Sequence, residues 1–181
     1  TTGEHNTAVG KQALAANTTA DNNSAFGYYA LYDNQSGTSN NAFGYAALEN
    51  NTASANCAFG SYTLQANTTA DNNTAIGYNT MANCTTGYSN VAVGNYALDA
   101  ITTGTSCTAV GHACLTANTA SSNAAFGWQA MYTNTTGANN VAVGSCALDA
   151  NNGNDNTAVG RNTLGANTSG CRNTALGYAT L

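Results

Sequence analysis

The fold is decided by the stretch Asn6-Thr7-Ala8-Val9-Gly10-Lys11-Gln12-Ala13-Leu14, which returns in altered form to the end of the chain. A period this regular is typical of stacked supersecondary units that cannot bury their apolar surface alone. We therefore interpret the chain as eleven copies of one structural unit. The glycine of the stretch recurs every 16 or 17 residues, at Gly10, Gly27, Gly44, Gly60, Gly77, Gly94, Gly111, Gly127, Gly144, Gly160 and Gly177.

Some positions of the repeat are strict and others vary. Two residues before the glycine stands alanine in every copy, and directly before the glycine stands a bulky apolar residue. Four residues after the glycine stands leucine or methionine, the last of them Leu181. Four residues before the glycine stands asparagine, except at Cys107. This pattern of strict and variable positions carries physical information about the structural unit.

The composition narrows the classes of function. The chain has 181 residues, of which 43% are apolar and only 6% charged, with no proline and a formal net charge of −5. Lys11, Arg161 and Arg172 are its only lysines and arginines. Such a chain lacks the basic surface that binds nucleic acid or anionic lipid, and none of its apolar runs is long enough to span a bilayer. We predict neither nucleic-acid binding nor membrane insertion within residues 1–181.

Each repeat favours β-structure over helix. Segments such as Val91-Ala92-Val93 are too short for a helix and alternate as strands do, and we expect pieces such as Asn95-Tyr96-Ala97-Leu98 to form a second short extended segment. A turn rich in Asn, Thr and Gly follows, where the 16-residue copies are expected to lose their residue. We predict an all-β protein, a parallel β-solenoid (β-roll) of about eleven 16–17-residue coils and roughly 50 Å in length. Because the sequence starts and stops inside a repeat, we expect residues 1–181 to be a single solenoid domain cut from a longer array.

Stacking gives the asparagines a role. At about 4.8 Å per coil, amides at one phase of the repeat lie over one another, where they can hydrogen-bond along the stack and satisfy the turn backbone. A second ladder is expected after the leucines, through Asn17, Asn34, Asn51, Asn67, Asn118, Asn134, Asn151 and Asn167. The first ladder is predicted through Asn6, Asn23, Asn40, Asn56, Asn73, Asn90, Asn123, Asn140, Asn156 and Asn173.

The two faces of the strand carry different residues. Because side chains alternate along a strand, the bulky residue points to one face, and the alanine and glycine point to the other. If the bulky column lines the interior, the outer face carries eleven Ala-Gly pairs. We expect that an identical face of another chain, or another part of the same coil, approaches these pairs closely. The alternative is a thin monomeric solenoid that turns its small residues inward.

The runs Asn6-Thr7-Ala8-Val9-Gly10, Asn23-Ser24-Ala25-Phe26-Gly27 and Asn73-Thr74-Ala75-Ile76-Gly77 resemble the YadA-like head repeat of trimeric autotransporter adhesins. They also resemble related repeats of phage and bacterial tail-fibre proteins. The resemblance covers essentially all of residues 1–181. It implies a left-handed parallel β-roll, side-by-side association of three chains and an adhesive rod outside the cell. This chain has a longer repeat than the autotransporter family, and Thr7, Ser24 and Asn41 stand where that family has valine.

Residues that bear chemistry are scattered. His5 and His112 lie about six coils apart and cannot share a site. Cys107, His112 and Cys114 offer three metal ligands but lack a fourth and the Cys-x-x-Cys spacing, so we assign no metal and no cofactor. The cysteines occupy different phases of the repeat, which predicts buried free thiols, with a Cys107–Cys114 bond as the alternative.

The acidic residues do not form a catalytic pair. Asp21, Asp71 and Asp155 share a phase of the repeat but lie in different, distant coils. They are too far apart for the paired carboxylates of a glycosidase, so an enzyme of the β-helical polysaccharide-cleaving kind lacks its acids. We predict no catalytic residue and no enzymatic activity.

Three surface features are candidates for contact with other molecules. Threonines in the turn, such as Thr52 and Thr68, resemble the hydroxyl arrays of ice-binding solenoids. Aromatic side chains after the glycine offer stacking platforms for sugars, or pack between chains; the candidates are Tyr28, Tyr45, Tyr78, Trp128 and Tyr178. Asn-x-Ser/Thr triplets are candidate glycosylation sites, at Asn17, Asn34, Asn67, Asn134 and Asn167, with further triplets at Asn22, Asn50, Asn72 and Asn83.

The sequence therefore predicts a non-enzymatic structural fibre or adhesin stalk at the cell surface, in the extracellular space or in a virion fibre. We expect it to be homo-oligomeric, as a trimer or a filament, and a candidate for a glycan coat. The alternative is a solenoid that binds glycans or ice along its Tyr or Thr columns.

Overall fold

Each repeat of the sequence forms one β-strand. The computed structural model describes residues 2–180, so Leu181, expected to end the leucine column, lies outside the described residues. Each strand covers only three residues, and the stretches between strands are turns and bends. The strands are β1 (Thr7–Val9), β2 (Ser24–Phe26), β3 (Asn41–Phe43), β4 (Cys57–Phe59), β5 (Thr74–Ile76), β6 (Val91–Val93), β7 (Thr108–Val110), β8 (Ala124–Phe126), β9 (Val141–Val143), β10 (Thr157–Val159) and β11 (Thr174–Leu176).

The strands form one parallel sheet whose order is the order of the sequence. Each strand pairs with its successor in the same register, so that Ala8 lies beside Ala25 and Val9 beside Phe26. The glycine that ends each strand continues the ladder, as where the Gly27 N–H donates to the Val9 carbonyl oxygen at 2.8 Å. The predicted parallel β-solenoid is confirmed. We number the coils after their strands.

The small residues of the strand point inward. From Ala25 to Ala175 every central alanine is buried, while Ala8, at the end of the rod, is exposed. The bulky residues that follow point outward, and Phe59 is 40% exposed. Our expectation that the bulky column lines the interior was therefore wrong, and the alternative with inward small residues is correct in this respect. The roll is too thin to take a second large residue opposite the leucine column.

Leucine and methionine fill the remaining interior. Leu31, Met81 and Leu148 have no exposed surface, and they lie in the same buried cluster as the strand alanines. Buried asparagines line the rest of the interior. The core is thus one narrow column that runs the length of the rod. Each inner coil adds to it the strand alanine, the leucine or methionine with the small residue before it, and amides or their replacements.

The stretch after the glycine turns a corner where we predicted a second extended segment. Tyr96 has φ 60° and Leu98 has φ 51°, and the equivalent residues of the other coils within residues 2–180 are also left-handed. L-residues adopt this conformation rarely, and two of them so close together bend the chain sharply. The predicted second strand was therefore wrong. Gly94 opens the corner at φ 132°, and a Cβ there would lie 2.6 Å from the Gly111 carbonyl carbon, so only glycine fits.

The 16-residue coils lose their residue in the Asn-rich turn, as predicted. In a 17-residue coil Asn34 Nδ2 donates to the carbonyl oxygen of Gly37, three residues ahead. In a 16-residue coil Asn51 Nδ2 donates to the carbonyl oxygen of Ala53, two residues ahead. The strand register is unchanged across this step. Within residues 2–180 there is no helix of the length and hydropathy that crossing a bilayer requires.

Candidate functional site

The asparagines before the strands connect each coil to the next and close their own coil. The backbone N–H of Asn90 donates to Asn73 Oδ1 at 2.9 Å, and Asn73 Nδ2 donates to the Gly87 carbonyl oxygen at 2.8 Å. One amide thus accepts from the following coil and donates to the far end of its own. The contacts are mainly amide to backbone, and the direct amide pair Asn173–Asn156 at 3.0 Å is at the end of the column. The acceptor contact from the next coil recurs at Asn6, Asn23, Asn40, Asn56, Asn73, Asn123, Asn140 and Asn156.

Cys107 takes the place of asparagine in this column. Its N–H donates to Asn90 Oδ1 at 2.9 Å, and its Sγ lies 3.3 Å from the Ala120 carbonyl oxygen. Burial raises the pKa of the Cys107 thiol, so the sulfur keeps its proton and can donate where an amide would. A thiol is a weaker donor than an amide, so the column is weakened at coil 7.

The asparagines after the leucines form pairs rather than a continuous ladder. Asn67 Nδ2 donates to Asn51 Oδ1 at 2.7 Å, and the same step joins Asn134 to Asn118 and Asn167 to Asn151. Asn17 and Asn34 instead bind carbonyl oxygens of their own turns. Cys84 and Ile101 occupy this phase in coils 5 and 6 and interrupt the column.

One buried acceptor is left without a partner at this interruption. Asn67 Oδ1 is one of three buried side-chain atoms in residues 2–180 without a hydrogen bond. The next residue at its phase is Cys84, whose Sγ donates to the Gly87 carbonyl oxygen at 3.2 Å. Burial raises the pKa of Cys84 to about 11, so the thiol is protonated at neutral pH. In other 17-residue coils the equivalent oxygen accepts an N–H of its own turn, as Asn34 Oδ1 does from Gly37 at 3.1 Å. Asn67 Oδ1 has neither that donor nor an amide at position 84.

An outer apolar face runs along the rod. We define it by the first and third residues of each strand, from Thr7 and Val9 to Thr174 and Leu176. All eleven third residues are apolar, seven of the first residues are Thr, Ser or Asn, and none of the 22 is charged. In the middle of the rod Ile76 is 42% exposed and Val143 39% exposed. Large exposed apolar surfaces are unusual on monomeric proteins and mark interaction sites.

The phenylalanines of this face are stacked. The ring centroids of Phe26 and Phe43 lie 4.6 Å apart at 8°, and those of Phe43 and Phe59 lie 4.5 Å apart at 4°. Rings this close and this parallel must lie face to face. Their faces are therefore turned along the rod, and their edges point away from it.

The predicted stacking residues lie beside this face. All five are exposed, and Trp128 is 51% and Tyr178 70% exposed. Tyr28 and Tyr45 are stacked on each other at 5.4 Å and 15°, so part of each ring face is already covered. A hydrogen bond with the Tyr29 side chain raises the pKa of the Tyr28 phenol. Arg161 lies over Tyr178, with its guanidinium carbon 5.9 Å from the ring centroid.

The candidate glycosylation sites divide by burial. Asn34, Asn67 and Asn134 have no exposed surface, and their Nδ2 atoms donate inside the coil, so they cannot carry a glycan in the folded chain. Asn17 and Asn167 are half-buried, and their amides donate to Ala20 and Gly170. The prediction is thus wrong for the three buried residues. Exposed triplets begin at Asn22, Asn50, Asn72 and Asn83.

The structure also locates the turn threonines, the cysteines and the other side chains that could bind a metal. Thr52 Oγ1 donates to the Thr68 carbonyl oxygen at 2.8 Å, and Thr119 makes the same contact with the following coil. The six cysteines are free, including Cys107 and Cys114. Burial raises the pKa of Cys114 to about 12. In the described part of the chain, no three His, Cys, Asp or Glu side chains are grouped as metal ligands.

The feature that sequence reasoning missed is the outer apolar face. A usable signal was present, because alanine is strict at the central position while the third position accepts Val, Phe, Ile and Leu. A position enclosed in a space of fixed size accepts only one residue type, whereas a position on an open surface accepts several. No family model, curated protein or solved structure matches the chain.

Proposed function

We propose that the chain is a structural rod of an extracellular fibre or adhesin stalk, and that copies of it associate side by side through the outer apolar face. The observation that carries the proposal is that the third residue of every strand is a bulky apolar side chain turned outward, and that none of the 22 residues of this face is charged. The extracellular location and the likeness to trimeric adhesins and tail fibres rest on the resemblance of the repeat alone.

The area of the face suits an interface. Six of the eleven bulky side chains are exposed and five are half-buried. Together with the first strand residues they offer on the order of 1,000 Å², and a standard interface buries about 800 Å² per partner. Because the 22 outward positions carry no charge, two copies can bring these faces together without repulsion between like charges. One apolar face per chain favours closed assemblies of two or three chains over open lateral sheets. The outward edges of the stacked phenylalanines form a continuous ridge that can pack against apolar side chains of a partner.

Sedimentation velocity tests this proposal. The chain is expected to sediment as a multiple of 18.2 kDa. The variant Phe43→Thr/Val93→Thr/Val143→Thr keeps β-forming side chains but makes the face polar, and it should sediment as a single chain. The matched control Thr52→Ser/Thr119→Ser/Thr136→Ser changes three turn residues away from the face and should leave the assembly intact. A wild-type chain that stays monomeric at high concentration contradicts the proposal.

A glycan-binding rod is the second candidate, and Trp128 is the residue that favours it. Its ring is exposed and has no aromatic neighbour within the described residues, unlike the stacked Tyr28 and Tyr45. Binding on a glycan array that is lost in Trp128→Ala and kept in Tyr28→Ala would support this candidate. An array without signal would contradict it.

A further inference from the structure

Most tyrosines of the chain form a single chain of ring contacts along one side of the rod. Seven of the ten belong to it, and we call them the tyrosine column. Consecutive ring centroids in the column lie 4.6, 4.3, 5.4, 5.1, 6.0 and 5.6 Å apart. The column joins coils 2 to 6, with one ring contact per step between coils. Its members, in order of contact, are Tyr32, Tyr29, Tyr28, Tyr45, Tyr62, Tyr78 and Tyr96.

The phenols of the column are open to small reagents. Tyr45 is 46% and Tyr78 43% exposed, and the other members are exposed or half-buried. Removal of one electron and one proton from a phenol gives a tyrosyl radical with spin density on the carbons next to the C–O bond. Two such radicals couple by a C–C bond between these carbons. Each of the two carbons then loses its hydrogen as a proton and each ring oxygen takes up one proton, which restores the two phenols.

The balance of this step requires an oxidant. Two tyrosines together give up two electrons and two protons when one dityrosine forms. Hydrogen peroxide accepts both electrons and both protons at a haem peroxidase and becomes two molecules of water. We propose that the tyrosine column is an oxidative modification site, where hydrogen peroxide and a haem peroxidase join neighbouring coils of one chain by dityrosine bonds.

Geometry favours bonds within one chain. Two directly bonded phenol rings have their centroids one C–C bond plus two ring radii apart, which is about the separation of Tyr28 and Tyr29. Across the coils, the centroids of Tyr28 and Tyr45 lie 5.4 Å apart and those of Tyr45 and Tyr62 lie 5.1 Å apart. Rotation of these exposed or half-buried side chains brings the carbons next to the C–O bonds together. Neighbours held this close react as if at very high concentration. The cysteines offer no equivalent, because the six free thiols all occupy different phases of the repeat.

The other three tyrosines provide an internal control. Tyr88, Tyr132 and Tyr178 are 54%, 38% and 70% exposed, so they are as accessible as the column. None of the ring contacts found in residues 2–180 joins them to another tyrosine. Accessibility alone predicts that they react equally, whereas ring contact predicts that they do not couple within the chain.

Two triple variants with the same number of phenols test whether ring contact or accessibility controls the coupling. Tyr29→Phe/Tyr45→Phe/Tyr78→Phe keeps the rings but leaves no two tyrosines in contact. Tyr88→Phe/Tyr132→Phe/Tyr178→Phe removes the isolated phenols and keeps the column. Each 181-residue chain is treated with peroxidase and hydrogen peroxide at high dilution, and dityrosine fluorescence is measured in the monomer-sized band. We expect a loss of about tenfold or more in the first variant and less than about twofold in the second.

Peptide mapping identifies the bonds and separates this proposal from lateral association. In a mixture of ¹⁴N- and ¹⁵N-labelled chains, the expected links are Tyr28–Tyr45 and Tyr45–Tyr62 between peptides of the same isotope. Equal losses in the two variants, or links exclusively between isotopes, would overturn the proposal whatever sedimentation shows. Circular dichroism checks that the variants fold. If the first variant does not fold, the wild-type chain unfolded in urea takes its place as the sample without ring contacts. A yield of Tyr45–Tyr62 links in urea as high as in the folded chain would overturn the proposal.

Discussion

The central and third residues of a strand meet opposite surroundings. Ala92 has no exposed surface, whereas its neighbour Val91 is 39% exposed and Val93 is half-buried. Across the eleven strands the inward position is always alanine, while the outward positions accept residues that range in size from alanine to phenylalanine. The difference teaches that space inside the roll, and not hydrophobicity, sets the strictest requirement of the repeat. The four predictions below test this contrast between the inside and the outside of the rod, and they run from the largest expected effect to the smallest.

The same new side chain at adjacent positions should have opposite consequences. Ala92 lies between Ala75 and Ala109 of the neighbouring strands, so Ala92→Leu has no room and should cost at least about 3 kcal/mol of unfolding free energy. Val93→Leu points outward and should change it by less than about 0.5 kcal/mol. Urea unfolding of both variants measures this, and equal losses would refute the contrast.

Removal of an inner amide should be the next largest effect. Asn73→Ala leaves the Asn90 N–H without a partner and leaves the Gly87 carbonyl oxygen with only the weak Cys84 thiol donor. A buried group left unpaired costs about 1 to 3 kcal/mol. Asn50 is exposed and donates to the Gln65 carbonyl oxygen at 2.8 Å, so Asn50→Ala should cost less than about 1 kcal/mol. Chemical denaturation compares the two, and a tolerated Asn73→Ala would show that the column contributes little to stability.

Restoring an inner amide should stabilise the rod. Cys84→Asn supplies an Nδ2 donor to the orphaned Asn67 Oδ1, which should raise the unfolding free energy by about 1 kcal/mol. The matched change Cys57→Asn lies on the outer face beside Asn41 and should give no gain. Thermal unfolding of the two variants distinguishes them. An equal gain from both would mean that the orphaned oxygen is not the cause.

The smallest effect concerns two partly buried carboxyl groups. Burial raises the pKa of Asp99 and Asp149 above 3.8, and Asp149 Oδ1 has no hydrogen-bond partner. The folded chain therefore binds these protons more tightly than the unfolded chain does. Their contribution to stability should rise as the pH falls through the raised folded pKa values, and should level off below the ordinary value.

The double variant Asp99→Asn/Asp149→Asn tests this pH dependence. Its melting temperature should rise less than that of the wild type when the pH is lowered from 7 toward 4, because its amides do not titrate. Glu4→Gln/Asp155→Asn removes the same charge at exposed positions and should keep the wild-type gain. Identical slopes in the two double variants would trace the effect to net charge instead of burial.

The period and the turn chemistry were enough to predict the solenoid. Glycines 16 or 17 residues apart fixed the stacking, and the Asn-rich turn correctly located the missing residue at Asn51 to Ala53. The corner after the glycine was not predictable from propensity, because Tyr96 and Leu98 are unusual residues for left-handed backbone. Tertiary packing of the leucine and backbone bonds to the next coil override that preference.

The candidate sites were predicted less well for a related reason. Triplet composition does not distinguish Asn34, which is buried, from Asn50, which is exposed, since burial depends on the position within the coil. Alternation along the strand correctly assigned the residues to two faces of the strand, but it did not show which of the two points into the roll. That choice depends on the width of the roll, which the leucine column already fills.

The parallel stacking of three-residue strands has a mechanical consequence. A force along the axis of the rod peels off its terminal coil and has to break only that coil's contacts with the next. Each released coil adds about 55 Å of extended chain in place of about 5 Å of rod, since 16 or 17 residues reach roughly 3.4 Å each. Under load the rod would therefore yield stepwise and lengthen roughly tenfold before its covalent chain is strained.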